Sequence, residues 1–101
     1  MIFAYIWEYR IAAEHVETFK ADYGRGGQWV GLYRRDPAYI RTELLSDSSD
    51  PQKFITFDYW DTWQTCLAFC ERFRSECDAI DAKCAHYALE ERHLGDVDLL
   101  G

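Results

Sequence analysis

Alternating hydrophobic and polar side chains predict four β-strands in this 101-residue chain. Residues 2–11 and 53–60 are rich in aromatic and β-branched side chains with a period of two, which is typical of strands. Residues 39–46 and 87–94 show weaker patterns of the same kind. The segment between the second and third strands, 47–52, is polar throughout. These two strands are therefore expected to form a hairpin with a long connection.

Helical periodicity separates the first strand from the second and the third from the fourth. In residues 13–23 the apolar side chains recur at intervals of three and four, which predicts a helix against a core. A glycine-rich segment, 24–27, ends this helix, and a second short helix follows it. Asp61-Thr62 is a favourable N-cap for a long helix over residues 62–85. The last residues, 95–101, are expected to form a loose tail.

This order of elements, β-α-β-β-α-β, predicts an α+β fold of the ferredoxin-like type, with both helical regions on one face of an antiparallel sheet. Residues 1–101 are expected to form a single domain whose core lies within residues 2–94. The other face of the sheet carries Ile55, Phe57 and Tyr59. Because an apolar face is unfavourable in water, we expect a second copy to cover it in a homodimer.

The net charge of the chain limits the kinds of partner that it can bind. The chain has 18 acidic and 11 basic residues and a formal net charge of −7, which disfavours binding to nucleic acid or to an anionic membrane. No apolar run approaches the roughly 18 residues of a membrane span, and no basic residue precedes the apolar start as it would in a signal peptide. We therefore expect a cytoplasmic protein that binds neither nucleic acid nor membrane.

The four cysteines are spaced at intervals of four and seven residues. On one helix Cys66, Cys70, Cys77 and Cys84 would fall within about 40° of a single line, which favours a stripe of small hydrophobic side chains facing the core. Side chains seven residues apart are separated by about 10 Å, too far for a disulfide bond. No CxxC pair or neighbouring His indicates a metal site. We expect reduced thiols, a reducing compartment and no metal.

Seventeen of the residues are aromatic, and their distribution is the most suggestive feature. Tyr5 and Trp7 share one face of the first strand, Trp60 lies on the third strand, and Trp29 and Tyr33 lie on the glycine-flanked helix. If these elements meet, their rings would line a pocket for a small aromatic molecule. The alternative is that the rings fill the core.

Few polar side chains are candidates for chemistry. Asp58 lies in the middle of a strand between apolar neighbours, where it is either a hydrogen-bonded structural carboxylate or a pocket base with a raised pKa. Glu43 is open to the same two interpretations. His93 is a second candidate base, although an isolated His more often occupies a surface position.

Several segments resemble the antibiotic biosynthesis monooxygenase (ABM) domain family. They are Tyr23-Gly24, Gly27, Trp29, Leu32 and Arg34-Arg35; Tyr39-Ile40, Thr42-Glu43-Leu44-Leu45 and Asp47; Asp50-Pro51, Phe54-Ile55-Thr56, Asp58 and Trp60-Asp61-Thr62; and Ile80-Asp81-Ala82-Lys83-Cys84. The resemblance spans residues 2–94 and is most specific over residues 56–62. It implies a dimeric α+β barrel with a pocket between helices and sheet in each subunit.

The resemblance also implies an activity. The family includes cofactor-free oxygenases of aromatic polyketides, quinol oxygenases and haem-degrading enzymes. The long second helix has no His before His86, which disfavours haem degradation. We therefore expect a cofactor-independent monooxygenase-like enzyme for a small aromatic or quinol substrate, in which the deprotonated substrate itself reduces O₂. The alternative is a non-catalytic dimeric protein of the same fold that binds a small molecule.

Roles for individual residues follow from this expectation. Trp60 matches a pocket tryptophan of the family and is assigned to both catalysis and substrate binding. Asp58 or His93 would remove the substrate proton. The ring of the substrate would lie against the remaining candidates, which are Tyr5, Trp7, Trp29 and Tyr33. No cofactor and no metal are expected.

Overall fold

Four strands and four α-helices form two layers in the computed structural model, which describes residues 2–100. The strands are β1 (Ile2–Ile11), β2 (Tyr39–Asp47), β3 (Asp50–Trp60) and β4 (Ala88–Leu99), and the α-helices are α1 (Val16–Tyr23), α2 (Gln28–Tyr33), α3 (Trp63–Arg72) and α4 (Arg74–Cys84). The sheet order is β2-β3-β1-β4, and neighbouring strands are antiparallel. The predicted ferredoxin-like α+β fold is confirmed. None of the helices within residues 2–100 is long and apolar enough to cross a membrane.

The alternation of β1 determines which of its side chains meet the helices. Phe3 is opposite Trp60 in the register of β1 and β3, and Tyr5 is opposite Asp58. Directly opposed residues of antiparallel strands point to the same side of a sheet. The aromatic face of β1 and the mixed face of β3 are therefore one continuous surface beneath the helices, as the period of two predicts.

The hairpin between β2 and β3 is tighter than expected. Both strands extend into the polar segment, so that only Ser48 and Ser49 form the turn. The backbone amide and the hydroxyl of Ser49 both donate to Asp47 Oδ1, at 2.8 Å each. The predicted 47–52 loop is wrong because an Asp of this kind closes a tight turn, while the polar residues beside it can still pair in strands.

The single long helix predicted over residues 62–85 is divided at Phe73. Its start is confirmed, since the Thr62 hydroxyl accepts from the Thr65 backbone amide at 3.1 Å. At Phe73 the backbone leaves the helical region (φ −108°, ψ 26°), yet its amide still donates to the Phe69 carbonyl at 2.9 Å. The ring of Phe73 lies 4.7 Å from that of Phe69 and 4.8 Å from the Arg72 guanidinium. The Arg35 guanidinium, distant in sequence, lies 5.1 Å from the same ring, and no Gly or Pro signals a break here.

The predicted loose tail is also wrong, because β4 continues to Leu99. Val97 is opposite Ala4, and Leu99 is opposite Ile2, beyond an irregularity in the register near Leu94. Pairing with β1 satisfies the backbone of this segment although its sequence contains Gly95 and charged side chains.

Two groups of buried side chains hold the layers together. The first consists of Tyr9, Ile11, Phe19, Phe54, Cys84 and Tyr87. The second consists of Phe3, Leu32, Trp60, Cys66 and Phe69. They lie towards opposite ends of β3, because Phe54 belongs to the first and Trp60 to the second. The core is therefore divided near the middle of this strand.

Candidate functional site

A cavity of about 540 Å³ lies between the sheet and the helices. Its floor includes Thr56 and Asp58, the inward-facing residues of β3 between Phe54 and Trp60. These two side chains are shorter than the rings at either side and carry polar groups. Because close packing is interrupted where small side chains replace large ones, the cavity lies between the two halves of the core.

Aromatic rings form most of the cavity wall. They are Tyr5, Trp7 and Tyr9 from β1, Tyr23 from α1, and Trp29 and Tyr33 from α2. The rings form a chain of contacts in which the centroids of neighbours are 5.2 to 6.3 Å apart. This wall suits a planar apolar ligand.

The break between α1 and α2 positions two of these rings. A Cβ atom on Gly27 would lie 2.1 Å from the Asp22 carbonyl oxygen, so only glycine allows the chain to turn this closely. The turn places Trp29 and Tyr33 over the sheet. Trp29 Nε1 is buried and has no hydrogen-bond partner within residues 2–100. A ligand acceptor could satisfy this donor.

Asp58 is the buried ionisable group of the floor, with an exposed fraction of 7%. Its Oδ1 accepts from the Thr42 hydroxyl at 2.6 Å, and that hydroxyl lies 2.7 Å from the Tyr39 hydroxyl. No Lys, Arg or His side chain within the described residues forms an ion pair with it. Burial raises the pKa of Asp58 to about 6, while the bond from Thr42 acts in the opposite direction. Such a carboxylate is ionised at neutral pH and is a stronger base than an exposed one.

Tyr33 supplies a hydrogen-bond donor to the same space. Burial, followed by the nearby charge of Asp58, raises the pKa of Tyr33 well above its ordinary value. The phenol therefore keeps its proton at neutral pH. It can donate to an oxygen atom of a bound molecule.

The structure brings together five of the candidate site residues and places two elsewhere. Tyr5, Trp7, Trp29, Tyr33 and Asp58 line the cavity. Trp60 lies in the second half of the core, 1% exposed, and its ring contacts Tyr33 at a centroid distance of 5.5 Å. It is not among the cavity-lining residues because the helices cover it completely.

His93 also lies outside the cavity lining. It is exposed on β4, where its ring lies 4.8 Å from Tyr5 and 5.4 Å from Trp7. Its Nε2 is 2.9 Å from Asp96 Oδ1. Glu43, the other acidic candidate, is opposite Phe57 on the far face of the sheet, where it accepts from the Tyr59 hydroxyl at 2.8 Å.

Three cysteines that the sequence analysis assigned to the core also line the cavity. They are Cys70, Cys77 and Cys84, and all four cysteines of the chain are free thiols. Cys66 and Cys84 are buried as expected, whereas Cys77 is partly buried and Cys70 is exposed. A hydrogen bond from Cys66 lowers the pKa of Cys70 to about 7.

The sequence analysis did not assign the other lining residues to the site. They are Tyr9, Tyr23, Thr42, Thr56, Arg74, Asp78, Asp81, Ala85 and Glu91. Thr42 could have been found from its place opposite Asp58 once the β2–β3 register was known. Within residues 2–100 no group of three or more His, Cys, Asp or Glu side chains is arranged to hold a metal ion.

Comparison with known proteins shows similarity in structure only. No protein-family model matches the sequence, and no curated protein matches it. Among solved structures, two named "putative antibiotic biosynthesis monooxygenase" have the same arrangement. The one from Bordetella bronchiseptica has a TM-score of 0.75 at 13% identity and covers 98% of this chain and 97% of its own. The one from Deinococcus radiodurans has a TM-score of 0.71 at 16% identity, with coverages of 100% and 94%.

A third solved structure has a stated activity. A mutant of SnoaB from Streptomyces nogalater, described as a cofactor-independent oxygenase, has a TM-score of 0.63 at 13% identity and covers 97% of this chain and 92% of its own. At sequence identities this low, the structural similarity establishes a shared fold. The function has to be argued from the site. The chain has the fold of the antibiotic biosynthesis monooxygenases, which confirms at the level of structure the resemblance seen in its sequence.

Proposed function

We propose that this protein is a cofactor-independent monooxygenase-like enzyme that oxidises a small aromatic or quinol substrate with O₂. One observation carries the proposal: Asp58 is a buried carboxylate without a cationic partner among residues 2–100, on the floor of a cavity walled by aromatic rings. A base with a raised pKa and an apolar wall are the two requirements for removing a proton from a bound phenol or activated C–H group.

The reaction balances without a cofactor. For a substrate with an activated CH₂ group, Asp58 takes one proton, and the resulting carbanion passes an electron to O₂. The radical pair then forms a C–O bond, and Asp58 returns its proton to give a hydroperoxide. Loss of water breaks the O–O bond and leaves a carbonyl. The substrate thus supplies four electrons, one oxygen atom enters the product, and the other leaves as water.

The remaining lining residues bind and orient the substrate in this proposal. Tyr5, Trp7 and Trp29 contact the ring through their faces and edges. The Tyr33 hydroxyl donates to the substrate oxygen on which negative charge develops, which stabilises the anion relative to the bound phenol or ketone. Thr42 orients Asp58 through its hydrogen bond of 2.6 Å.

The proposal predicts oxygen uptake by the purified protein without added metal or cofactor. The substrates to test are hydroquinones and anthrone-like phenols, with uptake compared against autoxidation in buffer. Mass spectrometry should show one atom of ¹⁸O₂ in the product. If these compounds bind but none of them causes oxygen uptake above autoxidation, the result would instead support a non-catalytic protein that binds small molecules.

We also propose that the protein is a homodimer formed sheet against sheet. The face of the sheet away from the helices carries Ile6, Phe57 and Ile55 at its centre, with Phe57 directly opposite Ile6. Exposed apolar residues flank this centre, including Leu45 at 45% and Val97 at 46%. Covering these side chains removes apolar surface from water in both copies.

A charge placed at the centre of this face should separate the copies. We expect Phe57→Arg to convert a dimer into a monomer in analytical ultracentrifugation, because the interface would bury two unpaired cations. Leu67→Arg is the matched control, since Leu67 is 45% exposed on α3 at the helical side. A wild-type monomer, or dissociation by the control alone, contradicts the proposal.

The state of the cysteines supports a reducing compartment. All four are free, and burial raises the pKa of Cys77 to about 11. Cys70, by contrast, is exposed with a pKa of about 7, and a thiol of this kind would be oxidised in an oxidising compartment. We therefore propose that the protein acts in the cytoplasm.

A further inference from the structure

We propose that the cavity selects a ring-bearing ligand with a positively charged group, such as a protonated amine. This inference rests on the proposed function in one respect, since it assigns the ring to the same aromatic wall. It adds the charge of the ligand, which neither the fold nor the proposed reaction specifies.

The charges around the cavity are strongly unbalanced. Four carboxylates line it, from Asp58, Asp78, Asp81 and Glu91, against a single cationic side chain, that of Arg74. None of the four forms an ion pair within the described part of the chain. Some acidic residues elsewhere in the molecule do have such partners: Glu8 with Lys53 and Arg92, Asp36 with Arg72, and Asp50 with Arg10. The cavity lining therefore carries an excess of negative charge.

Two of the carboxylates line the same cavity from different elements. Asp81 lies on α4 and Glu91 on β4, and after burial the charge of Asp81 is the next cause that raises the pKa of Glu91. Asp78, one turn before Asp81, raises the pKa of Asp81 in the same way. Like charges in this arrangement repel one another, and a cation between them would relieve that repulsion.

Aromatic rings lie beside these carboxylates. Glu91 is opposite Tyr9 in the register of β1 and β4, and the Tyr9 and Tyr23 rings are 5.2 Å apart. A cation held over such rings gains cation–π attraction in addition to its attraction to the carboxylates. Tyrosine and tryptophan faces combined with carboxylates recognise ammonium groups by this chemistry.

Asp58 places one of these carboxylates on the cavity floor. Its side chain is buried, and its one hydrogen bond within residues 2–100 comes from Thr42 to Oδ1. The carboxylate has acceptor capacity left for a donor of the ligand. The preference for positive charge therefore extends from the carboxylates of α4 and β4 to the floor.

Three catechols that differ in charge test the inference. Dopamine is a cation, 4-methylcatechol is neutral, and 3,4-dihydroxyphenylacetate is an anion. Binding is measured by calorimetry without oxygen, at pH 7 and low ionic strength. We expect dopamine to bind about tenfold more tightly than 4-methylcatechol, and the anion to bind more weakly than either. The advantage of dopamine should shrink as salt is raised.

The double variant Asp81→Asn with Glu91→Gln should reduce the advantage of dopamine over 4-methylcatechol, measured as the ratio of their two dissociation constants, to less than about threefold. Glu90→Gln is the matched control, because it removes one charge from the same strand at a position outside the cavity lining. Equal affinity of the wild type for the cation and the neutral catechol overturns the inference, as does an advantage that survives in the double variant.

Oxygen uptake, measured in air with the same ligands, separates this inference from the proposed function. A preference for dopamine without oxygen uptake supports the inference and counts against the oxygenase. Oxygen uptake without a preference for dopamine supports the oxygenase and counts against the inference. If none of the three catechols binds, both proposals are wrong.

Discussion

Replacing Asp58 with Asn is expected to lower the rate of oxygen uptake by at least about 100-fold, because general-base catalysis contributes roughly 10² to 10⁴ in rate. Asn keeps an acceptor for the Thr42 hydroxyl, which donates to Asp58 Oδ1 at 2.6 Å, but it cannot take a proton. Asp98→Asn is the control for loss of one negative charge, since Asp98 is exposed on β4. A variant that keeps most of the wild-type rate would remove Asp58 from the mechanism.

The pH profile should identify the same group. Burial raises the pKa of Asp58 to about 6, so the rate should increase as pH rises through about 6 and then level off. The groups that share its surroundings are the Tyr9, Tyr33 and Tyr39 phenols and the thiols of Cys66 and Cys70. A rise centred near pH 7 would point to the Cys70 thiol as the base, and one centred above pH 8 would point to a phenol.

The same substitution should stabilise the fold. Because the pKa of Asp58 is higher in the folded state than the ordinary 3.8, its contribution to stability is complete below pH 4 and is lost as pH rises through about 6. By linkage this loss is on the order of 3 kcal/mol at pH 7. Asp58→Asn should therefore unfold at higher urea concentration than the wild type at pH 7, with a smaller difference at pH 4. Equal urea midpoints at pH 7 would show that the carboxylate is not destabilised by burial.

Trp60→Ala is expected to have the largest effect on stability. Trp60 is 1% exposed, and its ring contacts Phe69 at a centroid distance of 5.0 Å as well as Tyr33 and Tyr39. Truncating a buried Trp to Ala costs about 3 to 5 kcal/mol, a large part of the stability of a small domain. The free energy of unfolding in urea measures this loss.

A milder pair of variants tests whether Trp60 touches the ligand. Trp60→Phe should change ring binding by less than about threefold, because the cavity lining does not include this residue. Trp29→Phe is the matched comparison, since Trp29 lines the cavity and carries a buried indole N–H that has no partner in the part of the chain that the structure describes. Trp29→Phe should weaken ring binding more than Trp60→Phe does, and it should lower the free energy of unfolding less. The opposite ranking would restore Trp60 as the pocket tryptophan that the sequence resemblance suggests.

The sequence by itself determined those features that depend on local patterns. Side chains alternate along a strand, so the inward faces of β1 and β3 were readable directly, and Thr62 was recognisable as an N-cap from its own position. The β-α-β-β-α-β order restricts an antiparallel sheet to few arrangements, which is why the fold and its structural relatives agree with the prediction.

Only the tertiary structure decided where the cavity lies and which residues reach it. Asp58 and Trp60 share one face of β3, but long-range packing covers Trp60 and leaves Asp58 at the cavity floor. The backbone leaves the helical region at Phe73, and pairing with β1 extends β4 to Leu99. Each of these outcomes depends on contacts between residues distant in sequence, and periodicity within one element carries no information about such contacts.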